Sequence, residues 1–245
     1  MHRLHKEILS QIKQRAAKEN MPLQKGNRYV GTTKPIYPLG SAAVGEMFRE
    51  FKARHVDLAQ AEFVALLDSL SRGKTYNEYA SVGVLLGTYP KLRAALDPRH
   101  LDRWLEHAIG WAEVDVTCAL NFTADEMLTN WKTWKGLLAA FAKSDNVHKR
   151  RASLVLLTKP LRESDDVRLA KLAFANADKL KREKDILITK AVSWILRALI
   201  KYHRVQVEAY LNANADTLPK IAVRETRVKL ATGKKAGRAQ DGHGV

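Results

Sequence analysis

The sequence predicts an all-α fold, and three observations support this prediction. Apolar residues recur at positions i, i+3, i+4 and i+7 in several segments, which places them on one face of a helix. No segment alternates apolar and polar residues as a half-buried strand does. Prolines fall between the periodic segments, where helices begin or end. The periodic sets are Phe63-Leu66-Leu67-Leu70, Val82-Leu85-Leu86-Tyr89, Leu101-Trp104-Leu105-Ala108, Trp134-Leu137-Leu138-Phe141 and Val192-Ile195-Leu196-Leu199.

The spacing of these helices predicts a repeat architecture. Asp57 is expected to cap a helix that stops at Ser71-Arg72-Gly73. Helix pairs that recur every ~40 residues favour a HEAT-like α-solenoid, a superhelix with an extended concave face. We expect one domain over residues 1–231, with an ordered loop from Gly26 to Ser41, and a disordered basic tail over 232–245.

The charge of the chain indicates a polyanionic partner. Lys and Arg number 42 against 26 Asp and Glu, which gives a net charge of +16. Such an excess favours nucleic acid, so the concave face is predicted to be basic and to hold duplex DNA, although RNA stays open. No apolar run is long enough to span a bilayer, and no signal peptide is visible. The single cysteine, Cys118, is expected to be a buried apolar residue in a cytoplasmic, bacterial-type protein.

Common enzyme signatures are missing from the sequence. It contains no glycine-rich nucleotide loop, no HExxH and no H-x-E with PCxxC. The histidines are scattered along the chain. We therefore expect no metal and no cofactor.

Trp111 and Asp115 form the first local feature of interest. They lie four residues apart, so a helix places both on one face. The pair offers an indole surface beside a negative charge. A core Trp beside a solvent-facing or capping Asp accounts for the spacing at least as well.

A second feature combines a helix start with positive charge. Ser144 or Asp145 is expected to cap this helix. Cations in the first turn oppose the helix dipole, and a bound phosphate would explain them. A solvated charge run is the alternative. The basic residues are His148, Lys149, Arg150 and Arg151.

A third feature is a tryptophan within a cationic stripe. The spacing places Lys190, Trp194, Arg197 and Lys201 on one helix face. Such a stripe suits contact with sugar and phosphate. A core Trp with flanking surface cations is the alternative.

Together these segments resemble the AlkD-like DNA alkylation repair glycosylases, a family with HEAT-like repeats. The resemblance runs from about Tyr29 to Leu230. It is carried by W-x-x-x-D at 111–115, SDN-x-x-x-x-RA at 144–152 and KA-x-x-W-x-LR at 190–197, and 219–225 is similar to the family's closing helix.

The resemblance implies a monofunctional glycosylase that hydrolyses the N-glycosidic bond of N3- or N7-alkylated purines without a base-flipping pocket. It implies that Asp115 is the essential carboxylate, that Trp111 and Trp194 flank the deoxyribose, and that Arg151 holds the backbone near the lesion. Tyr29 is implied to help hold the duplex. The remaining residues expected to contact DNA are His148, Lys149, Arg150, Lys190, Arg197 and Lys201.

Two other functions stay open at this point. A non-catalytic HEAT-like module that binds damaged or branched DNA would keep the basic surface without using Asp115. A protein-binding scaffold would explain the fold alone. Because the family is monofunctional, we do not expect Lys190 to form a Schiff base. A solenoid with DNA along one face needs no second subunit, so a monomer is expected.

Overall fold

A computed structural model describes residues 1–27 and 30–234 of the chain. In this part the protein is all-α, as predicted, and its one β element is an isolated antiparallel bridge between Gln24 and Ile36. The helices, in chain order, are α1 (Arg3–Lys18), α2 (Ser41–Arg54), α3 (Gln60–Ser71), α4 (Tyr76–Thr88), α5 (Pro90–Ala94), α6 (His100–Leu105), α7 (Trp111–Cys118), α8 (Ala124–Thr129), α9 (Trp131–Phe141), α10 (Val147–Val155), α11 (Pro160–Glu163), α12 (Val167–Leu180), α13 (Ile186–Asn214) and α14 (Lys220–Thr232).

Side-chain caps explain where several helices begin. Thr75 caps α4, and its hydroxyl oxygen accepts a hydrogen bond from the Glu78 backbone N–H at 3.2 Å. The Glu78 carboxylate in turn accepts from the Thr75 backbone N–H at 2.8 Å. Each of these reciprocal bonds satisfies a backbone donor that the first helical turn cannot pair.

Two predicted helix starts are wrong. The helix expected after Asp57 begins instead at Gln60, with Ala59 at the cap position, although its predicted end at Ser71 is confirmed. The start of α10 is capped by Asn146, not by Ser144 or Asp145. The Asn146 side-chain oxygen accepts from two backbone N–H groups of the first turn, at 2.8 and 3.4 Å, which neither earlier residue does.

The helices pack in pairs, as the repeat pattern predicts. Helices α4, α7, α10 and α13 lie side by side, each against the next, and we call these four the site row. A second set of helices packs against this row: α3 against α4, α9 against α10, and α12 against α13. Helix α1 covers α3 and α4 at one end, and α14 packs on α13 at the other. Successive helix pairs therefore stack along the chain.

The predicted apolar stripes form one continuous core. Phe63, Leu66, Leu67 and Leu70 of α3 are each fully buried, and the corresponding residues of α4, α6, α9 and α13 belong to the same cluster. Cys118 lies in this core, as expected, and its burial raises the pKa of the thiol.

The C-terminal boundary was predicted at residue 231. Helix α14 continues to Thr232, and Gly233 ends it in the left-handed conformation with φ of 71°. Residues 235–245, most of the predicted tail, lie outside the described residues. The division into 1–231 and 232–245 stays a prediction.

Candidate functional site

Asp115 is held by a bidentate ion pair with Arg151. Asp115 lies in α7 and Arg151 in α10, the next helix of the site row. Arg151 Nε donates to Asp115 Oδ1 at 2.9 Å, and Nη2 donates to Oδ2 at 2.7 Å. The Asp115 side chain is 16% exposed and the Arg151 side chain is 5% exposed. The carboxylate is thus fixed in one orientation and still reached by solvent.

Arg151 also joins this pair to α13. Its Nη1 donates to the backbone carbonyl of Leu187, in the first turn of α13, at 2.6 Å. One guanidinium therefore connects three neighbouring helices of the site row. The contacts show that Arg151 orients Asp115, and the role in holding the DNA backbone that the resemblance implied stays a prediction.

Trp111 is the first residue of α7 and is half-buried against the preceding loop. Gly31, whose φ is +69°, lies so close that a Cβ there would be 2.8 Å from Trp111 Cδ1. A Cβ at Gly110 would lie 2.4 Å from the Gly31 carbonyl oxygen. Two glycines therefore let the loop from Gly26 to Ser41 close against the indole.

Glu113 anchors this loop, and the sequence analysis did not single it out. Its fully buried carboxylate accepts hydrogen bonds from Thr32 Oγ1 at 3.1 Å, from the Gly110 backbone N–H at 3.1 Å and from the Ile109 N–H. Lys34 Nζ lies 3.5 Å away, and burial lowers the pKa of this lysine. The available signal was its place at the third position of α7, where a glutamate can accept from the backbone N–H of the cap residue, here Gly110.

Trp194 lies on α13, two turns after the carbonyl that Arg151 contacts. It is half-buried and packs against the core. Lys190 precedes it by one turn, is exposed, and forms no ion pair with any described residue. The structure thus places Asp115 and Arg151 in direct contact, Trp111 on the helix of Asp115, and Trp194 on the helix next to Arg151.

Two of the cations expected to meet a phosphate at the start of α10 are already paired. The Lys149 side chain is 8% exposed and binds Asp102 at 2.7 Å as well as Glu106. Arg150 Nε lies 2.9 Å from Glu183 Oε1, and its Nη1 donates to two backbone carbonyls. Neighbouring acids therefore neutralise both side chains in this structure, and their contact with DNA stays a prediction.

His148 is also turned into the protein. Burial lowers the pKa of its imidazole and so favours the neutral ring. Its Nδ1 is buried and has no partner among the described residues.

The predicted stripe on α13 is only partly open. Arg197 is 13% exposed, lies 3.4 Å from Glu225 of α14, and donates to the Ser193 carbonyl. Lys201 is exposed and donates to the Arg162 carbonyl at 2.6 Å. Of the stripe's cations, Lys190 is the one with no such contact to the described residues. Tyr29 lies outside the described residues, so its proposed role stays a prediction.

Tyr76, the first residue of α4, lies close to Glu113 and Asp115 and was not singled out from the sequence. Its backbone N–H donates to the Pro35 carbonyl at 2.9 Å, under the same loop that covers Trp111. Burial first, and then the charges of Glu113 and Asp115, raise the pKa of its phenol. The side chain therefore lies within electrostatic reach of Asp115.

The described part of the chain offers neither a metal-ligand group nor a membrane-spanning helix. No three His, Cys, Asp or Glu side chains in residues 1–27 and 30–234 are grouped to hold a metal ion. None of the described helices combines the length and the apolar character needed to cross a membrane.

Comparison with known proteins identifies the family. No curated protein matches the chain by sequence. A family model described as DNA alkylation repair enzyme matches residues 8–230, which include Trp111, Asp115, Arg151 and Trp194. The resemblance inferred from the motifs is confirmed by this match. The chain therefore belongs to the DNA alkylation repair enzyme family.

Proposed function

We propose that the protein is a monofunctional DNA glycosylase that releases N3- and N7-alkylated purines from duplex DNA. The observation that carries this proposal is the carboxylate of Asp115, which Arg151 orients with bonds of 2.9 and 2.7 Å while part of it stays exposed. A carboxylate fixed in this way can stabilise positive charge on a sugar without first reorganising.

The substrate's own chemistry explains why one carboxylate is enough. An N3- or N7-alkylated purine is cationic, so it leaves as a neutral base without a general acid. The C1′–N bond breaks with both electrons going to the base, and the sugar approaches an oxocarbenium ion. A water oxygen then bonds to C1′ while its proton passes to Asp115. Each Asp115 oxygen keeps a lone pair beyond its bond to Arg151, which that water needs.

The two tryptophans suit the flanks of such a sugar. Trp111 lies one helical turn before Asp115, and Trp194 lies on the helix that Arg151 contacts. An indole face near a developing cation contributes up to about 2 kcal/mol when the contact is desolvated. We therefore assign both indoles to the deoxyribose of the damaged nucleotide.

The start of the site row is the surface that we assign to the DNA backbone. Arg151 bonds both Asp115 of α7 and the Leu187 carbonyl in the first turn of α13, which places the start of α13 near Asp115. Helix starts carry partial positive charge, which favours a phosphate nearby. Lys190 adds a cation that has no ion pair in the described part, and the net charge of +16 adds long-range attraction. A duplex gripped along this edge would leave the damaged base unenclosed, so bulky adducts would be accepted. No second subunit is needed.

A base-release assay tests the proposal. Purified protein is incubated with methylated duplex DNA, and free 7-methylguanine and 3-methyladenine are separated and counted. Loss of one preorganised electrostatic group slows catalysis by about 10²–10³-fold, so we expect Asp115→Asn to fall by that amount. Asp125→Asn is the matched control, because Asp125 is exposed on α8 and has no ion pair in the described part. Equal rates for Asp115→Asn and the parent would disprove the assignment.

A non-catalytic DNA-binding module is the second candidate, and the Asp115–Arg151 pair itself favours it. Both oxygens of Asp115 accept bonds from Arg151, as in a purely structural link between α7 and α10. In that case the parent protein would bind methylated duplex but release no free base. The same assay, run beside a binding measurement, separates the two functions.

A further inference from the structure

The starts of α4 and α7 lie under one loop, and both begin with an aromatic residue. The Pro35 carbonyl of this loop accepts from the Tyr76 N–H at 2.9 Å, and Thr32 donates to Glu113 in the first turn of α7 at 3.1 Å. Tyr76 is the first residue of α4, as Trp111 is of α7. Tyr76 therefore holds the place on α4 that Trp111 holds on the neighbouring helix.

The side chain of Tyr76 lies near α7, and its hydroxyl donates to none of the residues that the structure describes. Together with Val116, the residue after Asp115, it lines a cavity of about 430 Å³. Tyr79 and Tyr89 each donate their hydroxyl to a backbone carbonyl at 3.1 Å. The Tyr76 hydroxyl has no such bond to any residue that the structure describes. A half-buried hydroxyl that bonds none of the described residues can donate to a ligand.

The charges nearby determine what this donor can bind. Burial and the negative charges of Glu113 and Asp115 raise the pKa of the phenol, so Tyr76 keeps its proton at neutral pH. The hydroxyl is therefore a neutral donor that seeks an acceptor oxygen. A cation in this place would pair with Asp115, as Arg151 does, and would reduce its charge. A phenol can bind an acceptor without that effect.

We propose that the Tyr76 hydroxyl donates a hydrogen bond to a phosphate oxygen of the damaged strand, close to the nucleotide whose sugar faces Asp115. This inference rests on the proposed duplex-binding function. Tyr76 is then a positioning residue, because it sets where the strand lies relative to the carboxylate and does not touch the bond that breaks.

Tyr76→Phe tests this contact, with Tyr37→Phe as the matched control. Tyr37 lines the same cavity from the loop. We expect Tyr76→Phe to weaken binding to undamaged and methylated duplex about tenfold, the effect of one hydrogen bond to a charged group. Tyr37→Phe should bind as the parent does. The slope of log affinity against log salt should not change, because a neutral donor displaces no counterion.

Neutral methylphosphonates, introduced one at a time along the damaged strand, locate the partner. At one position the tenfold difference between parent and Tyr76→Phe should disappear, because the shared interaction is then already absent. Binding of Tyr76→Phe within about twofold of the parent overturns the proposal. So does a difference that persists with every methylphosphonate, or one that comes with a lower melting temperature. If the parent binds duplex DNA but releases no base, only the glycosylase assignment is disproved, and the Tyr76 proposal is still tested by these binding measurements.

Discussion

Arg151→Met removes the guanidinium that joins three helices while keeping a side chain of similar length. The two bonds to Asp115, at 2.9 and 2.7 Å, and the bond to the Leu187 carbonyl, at 2.6 Å, are lost together. Asp115 then stays at a place where 16% of its side chain is exposed, without its charged partner. We expect this unpaired carboxylate to dominate the loss of stability.

The size of the loss follows from burial. Removing one partner of a buried ion pair costs about 3–5 kcal/mol. The lower end applies here, because water reaches part of Asp115. For a domain of this size each 1 kcal/mol lowers the melting temperature by about 2–4 °C, so we expect a drop of about 6–12 °C. Adding Asp115→Asn removes the unpaired charge and should recover about 1–3 kcal/mol of coupling.

Thermal unfolding of the parent, both single variants and the double variant measures this coupling directly. Arg3→Met is the matched control, because the Arg3–Glu62 pair is 71% and 35% exposed and such surface pairs contribute little. A drop below about 2 °C for Arg151→Met, or strictly additive effects in the double variant, would refute the assigned role of Arg151.

Three further outcomes are expected. Gly110→Ala would place a Cβ 2.4 Å from the Gly31 carbonyl oxygen, so stability should fall by about 1–3 kcal/mol and the loop should become protease-sensitive; an unchanged melt would contradict this. Lys190→Ala should reduce the salt slope of DNA binding by about one, and an unchanged slope would remove Lys190 from the interface. The pKa of Glu106 is lowered, chiefly by its hydrogen bond from Lys149. The stabilisation from Glu106 is therefore complete above its ordinary pKa of 4.5 and is lost as the pH falls through the lower pKa of the folded protein. The difference in unfolding free energy between the parent and Glu106→Gln should shrink as the pH falls below that range, and a difference that does not change with pH would contradict this role of Glu106.

Local patterns predicted the helices well and their starts less well. The stripe from Phe63 to Leu70 depends on spacing within one segment, and burial follows from it. A cap depends on which of several polar residues turns its side chain back to the first N–H groups. Asn146 wins this competition over Ser144 and Asp145 because its oxygen reaches two of them. The sequence pattern does not show which side-chain oxygen lies within hydrogen-bonding distance of these N–H groups.

The site was predictable where its parts are close in sequence. Trp111 and Asp115 share one short helix, so their spacing was informative. The partners of Lys149 lie on α6 and directly after it, with Glu106 43 residues away, and no local pattern links them. The charge run at α10 therefore suggested open cations where the fold supplies neutralising acids. Tyr76 was missed for the same reason, because only packing brings it near Asp115.

The ion pair with Arg151 limits how far Asp115 can adjust to a bound nucleotide. A side chain already immobilised by two donors requires no rotamer search when a ligand arrives, so little ordering entropy is lost at that moment. The same rigidity prevents Asp115 from swinging to meet a nucleotide bound a few ångströms away. Such a protein could accept different alkylated bases as leaving groups, but it would need the sugar in nearly the same position each time.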